Sequence, residues 1–359
     1  MVLSGTEIIG ISKQPTIGSA VAATIMMPIL PGTLRISENF EPILDQGRRG
    51  KDALDHRSYQ GVGHSEISWD GLVQEGDAVA NAPIGYLIDN LFGTGSLATK
   101  GAISGSGVST KDHRLRLGTT KEYLTVEHTA FDSSSDRQFE GCRVTELTIR
   151  FNGGEGAVTY SVTLQGRSPT SVTAANLTDQ TGDAWMGWQG QCVFAGTNSA
   201  INAAGHVTSP FARITSGEWT FRRSPSMFYS AQNSQNVTDI YLSPLEVVLS
   251  LVLDYPDVTE IAQFRNKTQS GILTLFEFTS DGGAVTDINR RRFAIGSILM
   301  DLGDGPAELD NSEANMRLGI VARGLYSATA GFAKSTGHAA VAQNSPVEVQ
   351  IVGLHDTIF

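Results

Sequence analysis

Two stretches of the chain each contain alternating apolar and polar residues on both sides of a turn-forming corner. The first stretch spans 139–167, and its corner is Asn152, Gly153 and Gly154. The second spans 293–325, and its corner is rich in Gly, Asp and Pro. Alternation on both sides of such a corner predicts an antiparallel β-hairpin. A chain that contains this unit twice is expected to be built from repeated β modules.

The elements around the two hairpins recur in one order, which is strand, polar loop, long strand, helix, strand and hairpin. The first helix is predicted over 83–93, with Pro83 in its first turn and Gly93 at its end, and the second over 256–267. We therefore predict a mainly β fold of two tandem antiparallel β-sandwich or barrel domains, each flanked by a short α-helix. The predicted segments are an N-terminal arm (1–31), a first β domain (32–167), a connector (168–212) and a second β domain (213–359).

Length and composition agree with a two-domain globular protein, since 40% of the 359 residues are apolar and 18% are charged. The formal net charge of -11 argues against a surface that grips nucleic acid. Only Cys142 and Cys192 are cysteines, which excludes a disulfide framework, and Cys142 falls on an inward position of the first hairpin. The apolar stretch 17–30 is interrupted by Pro28 and too short to span a bilayer, so we expect an arm or edge strand there.

The sequence contains no recognisable enzyme motif. A phosphate-binding loop, a nucleophile elbow and a zinc-protease helix motif are all missing, and the histidines lack ligand spacing. The acid pairs Asp52/Asp55 and Asp304/Glu308 are expected to be solvated loop carboxylates. The fragment from Asp301 to Asp304 lacks the further ligands of a calcium loop. We predict a protein that is not an enzyme and that uses no cofactor or metal.

Arginine clusters occur at two places, one in an early loop and one just before the second hairpin. A nucleic-acid patch would normally add interleaved aromatic residues and a positive domain charge, and both are missing here. We therefore expect the clusters to form salt bridges to a neighbouring subunit or to a strand edge. The candidate inter-subunit residues are Arg48, Arg49, Arg290, Arg291 and Arg292.

Several phrases of the sequence follow the pattern of one known family. They are the segment ISKQPTIGSA at 11–20, the prolines Pro28 and Pro31, a Gly-Arg-Arg-Gly loop, and a helix that ends in Leu-Phe-Gly at 91–93. The block 139–167, which has Gly-Cys-x-Val near its start and ends in Gln-Gly-Arg, is the part of the chain that follows the family pattern most closely. In these features the chain resembles the major tail tube proteins of long-tailed (siphovirus-like) bacteriophages. The likeness covers most of the chain and rests on this pattern, not on an invariant catalytic motif.

The resemblance implies tail-tube-type β-sandwich domains whose hairpins join with those of neighbouring subunits into a barrel around a channel. The implied function is a structural virion protein whose stacked rings form the tail tube for DNA delivery, assembled in the host cytoplasm. Implied partners are further copies of the chain, the tape measure protein in the lumen, tail terminator and baseplate proteins, and double-stranded DNA in transit without specific binding; no membrane is implied. Because like charge repels phosphates, Glu155, Asp301 and Asp304 near the hairpin turns are candidate lumen-facing acids.

The number of chains in a ring stays open between two arrangements. Two tube domains per chain allow a ring of three chains with pseudo-sixfold symmetry, whereas a ring of six would place one half of each chain outside. Other functions are also kept as alternatives. These are a tail terminator or baseplate hub protein, and a carbohydrate-binding β-sandwich with Trp185 and Trp188 as sugar platforms.

Overall fold

The computed structural model of the chain describes residues 7–45, 57–76, 82–93, 99–102, 111–129, 135–154, 156–174, 177, 179, 182–194, 211, 213–231, 234–254, 262, 265–267, 269–278, 291–302, 308–310, 317–328 and 344–353. Within these residues the chain is mainly β, with antiparallel pairing between its strands. The strands and the helix are β1 (Ile8–Gln14), β2 (Ile25–Met27), β3 (Arg35–Asp45), β4 (Arg57–Leu72), α1 (Pro83–Phe92), β5 (Thr99–Ala102), β6 (Lys111–Arg116), β7 (Tyr123–Thr129), β8 (Arg137–Asn152), β9 (Thr159–Gly166), β10 (Thr170–Ser171), β11 (Gly190–Phe194), β12 (Ile214–Arg222), β13 (Pro225–Phe228), β14 (Asp239–Leu242), β15 (Glu246–Asp254), β16 (Ser270–Phe278), β17 (Arg291–Asp301), β18 (Glu308–Asp310), β19 (Arg317–Gly324) and β20 (Glu348–Gly353).

Eight strands pair one after another in the order β3-β4-β9-β8-β12-β15-β19-β18, and we call them the long sheet. The predicted first hairpin forms two neighbouring strands of this sheet, β9 and β8. At the centre of the sheet, β8 of the first half pairs with β12, the first strand of the second half, from Ser216↔Asn152 to Arg222↔Glu146. The two halves of the chain therefore share one continuous ladder of backbone hydrogen bonds.

The pairing pattern of the first half recurs in the second half. The pairs β3–β4, β4–β9, β9–β8, β8–β7 and β7–β1 have counterparts in β12–β15, β15–β19, β19–β17, β17–β16 and β16–β11. A register shift near the start of β7 also has a counterpart near the start of β16. The repeated order of elements in the sequence is thus accompanied by a repeated order of pairing.

The second predicted hairpin departs from a simple two-stranded unit. Strands β17 and β19 pair only at Met300↔Gly324 and Asp301↔Arg323, and β18 continues the ladder opposite β19. Most of β17 instead pairs with β16 and β20. The strand opposite β19 is therefore built from two pieces, where the first half uses the single long strand β8.

One large apolar core lies between the long sheet and the remaining strands, with α1 packed into it. Trp69 and Trp219 are fully buried there, and their indole N–H groups donate to the Tyr160 hydroxyl (3.0 Å) and the Thr274 hydroxyl (3.2 Å). The ring of Phe92 at the end of α1 meets Phe221 of β12 edge to face at 5.5 Å. The helix of the first half thus packs against a strand of the second half.

Helix α1 begins and ends where the sequence predicts. Pro83 occupies its first turn, where a missing N–H costs nothing, and Gly93 ends it in the left-handed conformation with φ 62°. The Asn90 side chain accepts a hydrogen bond from the Val144 N–H (2.7 Å), next to the register shift between β8 and β9. The second predicted helix falls largely outside the described residues, although the Asn266 N–H donates to the Ala262 carbonyl over one helical turn (2.9 Å).

Parts of the predicted arm and connector are built into the sheet. Within the predicted arm, β1 pairs along its whole length with β7, and Ile9 and Ile11 are fully buried. Within the predicted connector, β11 pairs with β16, and Trp185 is buried whereas Trp188 is exposed. The domain boundaries drawn from the sequence remain a prediction.

Candidate functional site

The long sheet has one apolar face and one polar face. Its apolar side chains, among them Leu147, Trp219 and Leu249, point into the core, and the alternate residues form what we call the polar face. Short side chains occupy its middle, where the hydroxyl residues Thr148 and Thr220 and the apolar Val248 are direct neighbours on β8, β12 and β15. The described residues of the polar face on β4, β9, β8, β12, β15 and β19 include Glu66, Ser68, Asp70, Ser161, Thr163, Gln165, Glu146, Thr148, Arg150, Glu218, Thr220, Arg222, Glu246, Val248, Ser250, Val252, Val321 and Arg323.

Arginines on the polar face stand opposite carboxylates of neighbouring strands. Arg150 Nε lies 2.5 Å from Glu218, and Arg222 donates from Nε (3.0 Å) and Nη2 (3.1 Å) to the two oxygens of Glu146. These hydrogen bonds with Glu146 raise the pKa of Arg222 above its ordinary value. Arg323 reaches a further carboxylate on β15 at 3.5 Å.

Two acids of the polar face have neutral hydrogen-bond partners. Asp70 on β4 accepts from the Ser161 hydroxyl, and Glu66 on the same strand accepts from the Gln165 amide at 3.1 Å. Both partners lie on β9, directly opposite the acids in register. The hydrogen-bond donors of Asp70 and Glu66 are therefore neutral groups, although the Ser161 hydroxyl also accepts a hydrogen bond from Arg150 (3.1 Å).

The two edges of the long sheet are open among the described residues. Strand β3 pairs with β4 alone, and β18 pairs with β19 alone. An open edge presents unpaired N–H and C=O groups that can pair with another chain. One chain thus carries both edges needed for head-to-tail pairing between copies.

Two ribbons project from one end of the long sheet. Strands β3 and β4 pair as far as Asp45↔Arg57, beyond the last pair of β4 with β9 at Ser65↔Gly166, and they expose Phe40, Ile43, Leu44 and Tyr59. Strands β13 and β14 form a second ribbon between β12 and β15. The loop of this second ribbon braces the first, because the Gly63 N–H donates to the Gln235 carbonyl (2.9 Å) and the Gln235 amide donates to the Gln60 carbonyl (2.8 Å).

A groove of about 400 Å³ lies at the opposite end of the long sheet, beside the turn between β8 and β9. Its lining is largely apolar, with Phe151, Phe211 and Ile214 beside backbone of the turn. Trp188, which is 70% exposed, stands at this groove. The two ends of the sheet therefore present different surfaces, projecting apolar ribbons at one end and an apolar groove at the other.

A partly buried ion cluster joins β1, α1 and the start of β7. Lys13 forms an ion pair with Asp89 and lies 3.1 Å from Glu122. Burial raises the pKa of Asp89 to about 7, with a hydrogen bond to Glu122 acting in the same direction and Lys13 opposing it. Burial also raises the pKa of the Cys142 thiol, and it raises that of Cys192 to about 12, so both free cysteines are unreactive apolar residues of the core.

Of the candidate lumen acids, only Asp301 lies among the described residues. It is half-buried and opposite Arg323 in the β17–β19 register, whereas Glu155 and Asp304 fall outside the described residues. Among the candidate contact residues, Arg48, Arg49 and Arg290 also fall outside them. Arg291 forms an ion pair with Glu75 of the same chain, and Arg292 is 2% exposed.

The polar face, as one continuous surface, was not predicted from the sequence. Its signal is present in the alternation along 216–222, where every second residue is polar, and more weakly along 246–254, where Val248 and Val252 interrupt the polar series. Knowing which strands lie side by side requires the β8–β12 register, which joins residues about seventy positions apart in the chain. Without that register, the sequence allowed only a local prediction, which placed the candidate lumen acids near the hairpin turns.

Neither a metal site nor a membrane-spanning helix is found in the described part of the chain. No group of three or more His, Cys, Asp or Glu side chains there is arranged to hold an ion, and no helix there is long and apolar enough to cross a bilayer.

Comparison with known proteins places the chain in one family. The profile described as "Phage tail tube protein" matches residues 9–336, which include both halves of the long sheet. No curated protein matches the chain. The match agrees with the likeness seen in the sequence and with the mainly β fold of antiparallel sheets. The chain therefore belongs to the phage tail tube protein family, and it is a structural component of the virion tail.

Proposed function

We propose that the chain assembles into stacked rings that form the phage tail tube, the channel through which DNA is delivered. The observation that carries this proposal is the long sheet, which has eight strands, two open edges and one polar face. Pairing β3 of one chain with β18 of the next would extend the sheet without interruption. Such head-to-tail contacts close into a ring when the rotation between copies allows it.

A ring of three chains fits the repeated pairing pattern. Three sheets of eight strands give 3 × 8 = 24 strands, in which each chain supplies two similar units of four. Barrels of about 16–18 strands already leave an aqueous channel, so a barrel of this size would be open. The ring then has threefold symmetry in chains and approximate sixfold symmetry in domains.

Closure of the sheet would place the polar face inside. The apolar face is covered by the second layer of strands and by α1, so only the polar face is free to line a lumen. Its hydroxyl groups, its acids and its paired arginines would give DNA no row of free cations to bind. Glu155, Asp301 and Asp304 remain candidate lumen acids in this arrangement.

Stacking of rings would use the two unlike ends of the long sheet. The exposed apolar residues of the β3–β4 ribbon, Ile43, Leu44 and Tyr59, would enter the groove beside Trp188 in the next ring. A contact between unlike surfaces at the two opposite ends of the sheet propagates along an axis when the rotation between copies does not close it into a ring. The tape measure protein would occupy the lumen, terminator and baseplate proteins would meet the two tube ends, and assembly would take place in the host cytoplasm.

Native mass spectrometry and cryo-EM of the assembled protein test the proposal. We expect three chains in each ring, 24 strands around the lumen and filaments of uniform diameter. Six chains per ring would contradict the threefold arrangement, and a persistent monomer would contradict ring formation. Single rings that never stack would instead indicate a terminator-like protein.

A further inference from the structure

The polar face carries several arginines. Arg35 and Arg317 lie nearer its margins, opposite Ser68 and Asp254. Three more, Arg150, Arg222 and Arg323, surround the junction of the two halves on β8, β12 and β19. A free arginine neutralises a phosphate and releases its counterion, which provides most of the affinity of nonspecific DNA binding. Such a surface would retain DNA unless the arginines are prevented from reaching phosphates.

Each of the three arginines around the junction has a carboxylate on an adjacent strand. Arg150 stands directly opposite Glu218, and Arg222 stands directly opposite both Glu146 on β8 and Glu246 on β15. Arg323 of β19 contacts Glu246 from the other side. Glu146, Arg222, Glu246 and Arg323 thus form a row of alternating charges across four strands, and Arg150 and Glu218 form a further pair beside it. We call these six residues the charge ladder.

The ladder contributes little to folding. Its side chains are between 39% and 54% exposed, and exposed ion pairs of this kind add little to the stability of a protein. The hydrogen bonds do occupy the guanidinium donors, as the bidentate contact of Arg222 with Glu146 shows. The neighbouring carboxylates also repel an approaching phosphate. The main effect of the ladder is therefore to weaken the binding of phosphates to this surface.

We infer that the glutamates of the charge ladder suppress a latent binding site for the phosphates of double-stranded DNA. With the glutamates in place the three arginines are neutralised and the polar face stays inert. Without them the arginines would form a track for the DNA backbone across the junction of the two halves. The inference rests on the proposed function in one respect, which is that DNA is the polyanion that meets this surface. The latent site itself is formed by residues of a single chain and does not depend on ring assembly.

A matched pair of double variants tests the inference on the full-length protein. Glu146→Gln with Glu218→Gln removes two charges that face arginines, whereas Glu66→Gln with Asp70→Asn removes two charges of the same face that contact neutral groups. Both variants change the net charge by the same amount. The measurement is the affinity for a labelled double-stranded DNA of random sequence as a function of salt, by fluorescence anisotropy.

The ladder variant is expected to bind DNA with a salt slope steeper by about one to two than that of the control, since each neutralised phosphate contributes about 0.9. Adding Arg150→Gln and Arg222→Gln to the ladder variant should remove the gained binding. Equal affinity and equal slope for the two double variants would overturn the inference. A chain that fails to form tubes but shows this contrast would count against the proposed function alone.

Discussion

Where β1, α1 and β7 meet, the ammonium group of one lysine contacts two carboxyl groups. The Asp89 side chain is fully buried, and its neighbours are the ammonium group of Lys13 and the carboxyl group of Glu122. Burial disfavours the ionised form of Asp89, and the hydrogen bond to Glu122 acts in the same direction, whereas Lys13 opposes both. The pKa of Asp89 is thereby raised to about 7.

This cluster predicts a specific pH dependence of stability. The pKa of Asp89 is about 7 in the folded chain and about 3.9 in an unfolded one, so the folded state holds an extra proton between these values. The stabilising contribution is complete at low pH and is lost as the pH rises through about 7. Asp89→Asn cannot titrate, and we expect it to reduce the loss of unfolding free energy between pH 5 and pH 8 by about 1–3 kcal/mol.

Urea unfolding of both proteins at the two pH values measures this effect. Lys121→Gln is a suitable control, because Lys121 forms an exposed pair with Asp239 outside the cluster. A variant that is shifted equally at both pH values would show that Asp89 does not titrate in this range.

Among the elements of the fold, the β3–β4 ribbon offers the clearest contact surface for another molecule. The β3–β4 ribbon carries large apolar side chains into solvent, with Ile43 58% exposed and Leu44 46% exposed. Burying such a side chain stabilises a contact by about 1.5–3 kcal/mol. The brace from the Gln235 loop holds the ribbon in position before any partner is bound.

Charged residues in this ribbon should block stacking while leaving ring formation intact. For Ile43→Asp with Leu44→Asp we expect at least about a tenfold loss of stacked rings, because two apolar contacts are replaced by desolvated charges. Negative-stain electron microscopy counts rings and tubes in the same preparation. Tyr326→Asp, which alters a side chain with 63% exposure elsewhere, is the control and should stack normally. Normal tubes from the double variant would rule out the ribbon as the stacking contact.

Elements whose pattern is local were predictable from the sequence, and elements that depend on distant partners were not. Helix α1 and the β8–β9 hairpin follow from Pro83, Gly93 and the alternation around Gly153, so their type was predicted and confirmed. Strand β1 was expected as an arm, because the partner that buries Ile9 is more than a hundred residues away on β7. The charge ladder was missed for the same reason, since Glu146 and Arg222 become neighbours only through the β8–β12 register.

At the scale of the whole molecule, the two halves depend on each other across the β8–β12 ladder. Removing the second half would expose the edge of β8 and uncover Phe92, which packs on Phe221. It would also leave β6 without its partner β20. We therefore expect the first half to be insufficient for a cooperative fold.

Fragment complementation tests this dependence. A fragment of residues 1–172 should show no cooperative urea transition alone, because an unpaired central strand and an open core remain. Mixing it with residues 173–359 should restore a cooperative transition and the near-ultraviolet circular dichroism of the whole chain. Phe221→Asp in the second fragment should prevent this rescue. Cooperative unfolding of 1–172 alone, with the urea midpoint of the whole chain, would show that the halves are independent.

The shared β8–β12 ladder also changes the cost and the possibilities of building a ring. In a ring of three chains, half of the seams between similar units are covalently linked, so fewer molecules lose translational and rotational freedom on association. The linkage also frees the two units from being identical. The acids with neutral partners, Glu66 and Asp70, then lie in one unit, and the paired charges lie at the junction with the other. In such a ring, DNA in the lumen would meet stripes of these acids alternating with stripes of ion pairs, each repeated three times.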